Sequence, residues 1–117
     1  MPFYSVAKNS MLDAISTTYR FMSLHEAAPS TDGSNEVSGG SYTRIAVTWN
    51  TAASGEAALS SNVAFSVPAG STITHVGVFA TSTGTTFGAY ADVTDEGFAG
   101  AGTYTVTASG TKLDIND

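Results

Sequence analysis

The chain has 117 residues, 42% hydrophobic and only 12% charged, with ten acidic residues against four basic ones and no cysteine. A net charge of −6 leaves no cationic cluster to displace counterions from nucleic acid or to hold an anionic membrane. The missing thiols exclude disulfides and thiolate zinc sites, and the length suits one domain with one modest core.

The charged share is about half the usual figure of roughly 25%, so Ser, Thr, Asn and Gly must supply most of the polar surface. That is the composition of a turn-rich β protein. No apolar run approaches the roughly 20 residues that span a bilayer as a helix. The N-terminus also lacks the basic-then-apolar pattern of a secretory signal, so no membrane partner is expected.

In chain order, the first expectation is a short helix within residues 1–17. Ser5 is placed as its N-cap, with Ala7, Met11, Leu12 and Ile15 on one side and Lys8, Asn9 and Asp13 on the other. Ser16, Thr17 and Thr18 end it, because such residues compete for backbone hydrogen bonds or favour strands. A strand over Thr18–His25 then runs into a polar, acidic, Gly-rich surface loop, Glu26–Ser41. In the next strand, Tyr42–Asn50, Ile45, Val47 and Trp49 alternate with Arg44, Ala46 and Thr48, the period of a half-buried strand.

Short strands follow at 56–60 and 63–67, then a turn over Pro68–Ser71. In 73–80, alternation groups Ile73, His75, Gly77 and Phe79 against Thr74, Val76, Val78 and Ala80. A turn at 81–86 leads to a strand at 87–93, a Gly-rich connection at 95–102, a strand at 103–109 and a last segment at 113–117. Seven or eight short strands separated by turn chemistry predict a mainly β, single-domain antiparallel β-sandwich, jelly-roll-like, with one short N-terminal helix.

Candidate sites are few. His25 ends an apolar run beside Glu26, but a lone histidine without a second ligand at metal spacing is better read as a strand-end side chain bonded to backbone. His75 reads as half-buried or at an interface. Together the two are the groups able to make assembly pH-sensitive. Asp92, Asp95 and Glu96 offer oxygens for calcium, yet their spacing is not that of an EF-hand, and a solvated acidic turn is the simpler reading. Asp32 and Glu36 read the same way.

No Gly-x-Ser-x-Gly elbow occurs, and the run Gly97–Gly102 lacks the lysine of a phosphate loop. No catalytic residue, cofactor or metal is therefore expected. Trp49 shares its face with Ile45 and Val47 and belongs in the core, whereas Tyr42, Tyr90 and Tyr104 suit interface anchors or platforms for sugar rings.

The segments MLDAIS, YRFMSLHEAAPSTDGSNEVSGGSYTRIAVTWN, FSVPAGSTITHVGVF and ADVTDEGFAGAGTYTVTA resemble a family of small virion structural proteins of tailed bacteriophages. Glu36–Tyr42 is the most specific part, and the likeness covers nearly the whole chain, Met11–Ala108. Such proteins serve in the tail or fibre, or decorate the capsid, so the resemblance implies a structural role and carries over no catalytic residues. The expectation is a protein made in the host cytoplasm that coats the outer capsid surface as a homo-oligomer, a trimer by preference, against the major capsid protein or another virion protein. Its contact residues are expected among Phe3, Tyr4, Lys8, Arg20, His25, Glu36, Tyr42 and Arg44, with loop 26–41 touching a neighbour. The alternatives are a tail-fibre or minor tail protein that meets a host-surface glycan, and a free carbohydrate-binding module.

Overall fold

In the computed structural model, which describes residues 1–115, one helix precedes eight strands. They are α1 (Ser5–Thr18), β1 (Phe21–His25), β2 (Ile45–Ala46), β3 (Glu56–Ala58), β4 (Val63–Val67), β5 (Ser71–Phe79), β6 (Phe87–Phe98), β7 (Gly102–Val106) and β8 (Lys112–Asp114). All pairings are antiparallel. Four strands form one sheet in the order β2-β1-β5-β6, while β3 pairs with β8 and β4 with β7. The chain is thus mainly β, as its alternation implies. Of the expected last segment, Asn116 and Asp117 lie outside the described residues.

The main core forms where the four-stranded sheet meets the β4–β7 ribbon. Met22 and Leu24 of β1, Ile73 and Val76 of β5, Val63, Phe65 and Val67 of β4, and Val106 of β7 are buried there. In β4 the alternation works as read: Val63, Phe65 and Val67 are buried, while Ala64 and Ser66 are exposed. A second cluster joins Leu12 of α1 to Ala52 and Ala57, and Trp49 packs against both clusters.

Several features depart from the sequence reading. Of the strand expected over Tyr42–Asn50, only Ile45–Ala46 pairs as β2, with an isolated bridge from Trp49 to Leu59. The register of β5 against β6 shifts between Ile73 and His75. A bulge changes which way successive side chains point, so Ile73 joins the core with Val76 and not the face of His75, Gly77 and Phe79. The expected connection at 95–102 is also shorter, because β6 runs unbroken through Asp95, Glu96 and Gly97 to Phe98. Eight cross-strand pairs with β5 outweigh the weak strand preference of Asp and Gly.

The helix forms where expected but docks by a different side. Its N-cap is Tyr4, with no side-chain capping bond, and Ser5 lies inside the first turn. Leu12 is buried as read, but Met11 is exposed. The polar residues Asn9 and Asp13 face the body. Asp13 Oδ1 accepts the Ala52 N–H at 2.8 Å and Asn9 Oδ1 the Gly55 N–H at 2.9 Å. The tight turn between them, with φ of 53° at Ser54 and 76° at Gly55, presents amides that need acceptors. Asp13→Ala removes one acceptor and leaves a part-buried amide unpaired. It is expected to cost about 1–2 kcal/mol, read as a lower urea midpoint with an unchanged slope.

Candidate interaction surface

The second face of the four-stranded sheet also needs a cover. Cross-strand partners share a face, so the pairs Ser23↔Gly77, His25↔His75, Gly77↔Tyr90 and His75↔Asp92 define it. Loop 26–41 supplies part of the cover and closes the edge of β1 where β2 stops. The Val37 N–H bonds the Leu24 carbonyl at 3.0 Å and the Glu26 N–H the Asn35 carbonyl at 2.9 Å. Tyr42 Oη accepts the Leu24 N–H at 2.9 Å. Within the loop, Pro29, Gly33 and Val37 are buried, while Ser30, Asp32 and Ser38 beside them are exposed. The ordering of this long polar segment is therefore offset inside the chain itself.

Glu36 is the centre of a latch. Its carboxylate accepts the Tyr42 hydroxyl at 2.7 Å and the Arg44 guanidinium through Nε at 3.0 Å and Nη2 at 2.8 Å. Arg44 also donates to the carbonyls of Thr81 and Gly84 in the β5–β6 turn, at 3.2 and 2.8 Å. Its guanidinium carbon lies 3.3 Å from the centroid of the Phe79 ring, a desolvated cation–π contact. Burial pushes the Tyr42 phenol well above its ordinary value. The Leu24 N–H opposes that shift, and the Glu36 carboxylate adds to it.

His25 is 0% exposed, with both ring nitrogens bonded. Nδ1 lies 2.9 Å from the Ser34 carbonyl, which can only accept, so Nδ1 carries the proton. Nε2 then accepts the Ser23 hydroxyl at 2.8 Å. Serine and histidine sit here in the arrangement of a nucleophile and its base, but both are fully buried and the third partner is a backbone carbonyl instead of a carboxylate. They form an internal clamp, out of reach of any substrate. Phe79 stacks on the imidazole at 6.1 Å and Phe87 meets it edge-on at 5.5 Å.

This packing needs glycine at two positions. A Cβ on Gly77 would fall 2.5 Å from Phe87 Cε1, and one on Gly33, where φ is +74°, would fall 2.3 Å from Phe79 Cζ. No spacing signal in the sequence marks Ser23, Gly33, Gly77 or Phe79 as parts of one site. Only the aromatic pair Phe79 and Phe87 flanking a turn hints at it.

The structure separates the residues singled out by sequence into two groups. His25, Glu36, Tyr42 and Arg44 come together in the clamp and latch just described. Phe3, Tyr4 and Arg20 are exposed and Lys8 is half-buried, on or beside α1. His75 is a cross-strand partner of His25, but its own contacts are Thr74 Oγ1 at 2.7 Å, the Tyr90 ring at 5.6 Å and Asp92 at 3.8 Å. Among the described residues no group of His, Asp or Glu is placed to hold a metal ion. Asp92, Asp95 and Glu96 lie along β6 as exposed strand residues, not in a turn. Tyr90 is 52% exposed, while Tyr104 is half-buried, and burial raises its phenol.

The buried polar clusters of this β scaffold thus serve its own packing. The chain belongs to the family described as Podophage GP4 fiber I protein gp80, whose model matches residues 5–114. It is accordingly a phage virion structural protein, tail-fibre-like. No curated protein and no solved structure matches it.

The clamp makes stability depend on pH. Burial lowers the His25 pKa; the Ser34 carbonyl and Glu36 oppose this, and Arg44 and His75 reinforce it. Below the ordinary value of about 6.5 the unfolded chain takes up a proton that the folded chain refuses. Stability is therefore full above that pH and falls as pH drops through it. The melting temperature is expected to decline on acidification below about pH 6.5. His25→Gln, less stable at neutral pH but not titrating, is expected to show a flatter decline.

Proposed function

We propose that the chain is a fibre component carried on the tail of the particle, not a coat on its shell. The match of a fibre family over residues 5–114 carries this reading, in preference to capsid decoration. An elongated body, 47 Å by 26 Å by 22 Å, suits it. A tail fibre is present in few copies at one vertex, whereas a shell coat follows the capsid lattice. Quantitative mass spectrometry of purified particles, with gold labelling of a tagged copy, is expected to give low copy number and label at the tail. Hundreds of copies spread over the head would refute the reading.

We infer further that it works as a symmetric homo-oligomer, a trimer by preference, joined through its N-terminal segment. Met1, Phe3, Tyr4 and Val6 are large apolar side chains left in water, with Tyr4 88% and Val6 81% exposed. In a chain with so few charges, they are the groups whose burial between copies gains most. Closed symmetry then multiplies weak contacts at a surface. Light scattering is expected to give the mass of a trimer for the native chain. The variant Phe3→Ser/Tyr4→Ser/Val6→Ser is expected to give a folded monomer. A native chain that stays monomeric would overturn the inference.

A further inference from the structure

β6 is the outer strand of the four-stranded sheet, bonded on one side to β5. Its twelve residues extend about 40 Å at the usual rise per residue. Most of them are exposed. Among the described residues, no backbone or side-chain group pairs with its free edge. Such an edge is a template for another strand. Proteins ordinarily blunt it with proline, lysine, a bulge or a covering element; β6 has neither proline nor lysine, and its main irregularity is confined to the stretch between Asp92 and Glu96. Ala89, Ala91, Thr94 and Gly97 are small and leave room for close backbone approach, while the space beside Gly88 is filled by the Tyr19 ring.

What β6 does carry is negative charge. Asp92, Asp95 and Glu96 are all exposed. A second copy of the chain is a poor occupant, because parallel in-register pairing stacks like charges directly and antiparallel pairing about Val93 crowds three carboxylates from each copy into one short seam. The chain also has only four basic residues to answer with. Arg44 is held by Glu36 and Phe79, Lys112 lies 2.5 Å from Glu56, and Lys8 and Arg20 sit on or beside α1. The same carboxylates that reject a copy attract a cationic strand.

We propose that the free edge of β6, Phe87–Phe98, is the docking site for an extended, lysine- or arginine-bearing segment of another protein, which adds to the sheet as a further strand. Backbone hydrogen bonds give the affinity, and Asp92, Asp95 and Glu96 select the partner by charge. The inference rests on the strand edge and its charge, and stands independently of where on the particle the protein sits.

The test is amide hydrogen exchange on the full chain with two probes about ten residues long, one alternating threonine with lysine and the other threonine with glutamate. The lysine probe is expected to slow exchange in 87–98 by about tenfold or more, through the amides that point away from β5. Added salt should weaken the effect, and the glutamate probe should have none. Asp92→Lys/Asp95→Lys/Glu96→Lys, three exposed positions, is expected to reverse the preference. The proposal fails if neither probe protects 87–98, or if both do so equally. It also fails if protection appears without a probe as protein concentration rises, which would make a second copy the occupant.

Discussion

The structure depends on covering β1 and β5 from both sides. These two strands lie at the centre of the four-stranded sheet, and β1 is buried at four of its five residues. One side meets the β4–β7 ribbon in an ordinary apolar core. The other has only a loop, a turn and a few aromatic rings to shut out water. The buried histidine and the glycines at 33 and 77 follow from that second cover. His25 must stay neutral because no charge can be solvated beneath Phe79 and Phe87. Glycine is required at 33 and 77 because the rings fill the space a side chain would take.

The latch of Glu36, Tyr42 and Arg44 shows how a half-buried ion pair is made tolerable. Desolvating two charges is costly, and their attraction offsets that cost only when the remaining donors and acceptors are also filled. Arg44 satisfies this condition with a carboxylate, two carbonyls and an aromatic face. Glu36 receives donors on both oxygens. The pair ties loop 26–41 and the adjoining approach to β2 to the β5–β6 turn, which lies 40 residues on at Gly84. It thereby fixes which way the cover lies. Removing residues 30–35 would take away both Gly33 and the Ser34 carbonyl that orients His25, so this loop cannot be treated as an appendage.

Where a signal depends on neighbours in sequence, it was legible. Alternation in β4, the strand ending at His25 and the core position of Trp49 all reflect local pattern. The family resemblance was legible too, and it gave the structural role. The helix was found but its docking side was not, since hydrophobic spacing cannot reveal that Asn9 and Asp13 answer two amides more than 35 residues away. The bulge near Thr74 was invisible because a slip of register leaves no mark on composition. Read locally, β6 ends at Val93, because Asp, Glu and Gly favour a turn until a long partner strand is present. Glu36, Tyr42 and Arg44 stand close together in sequence, but topology alone brings Phe79, Thr81 and Gly84 to them.

Low charge and abundant hydroxyls also explain how such a surface can bind without a pocket. Few strongly hydrated groups must be stripped of water when Ser, Thr, Gly and Ala meet a partner, so backbone pairing and apolar contact can dominate. The two exposed features differ in kind. Phe3, Tyr4 and Val6 attract any apolar surface, including their own copies, whereas β6 repels its copies through Asp92, Asp95 and Glu96. Contacts of unlike chemistry do not compete for the same partner. A chain that used apolar groups at both places would assemble into open, unending chains. On the assembly proposed above, charge on the longest edge would let a small β protein join its copies in one place and a different protein in another.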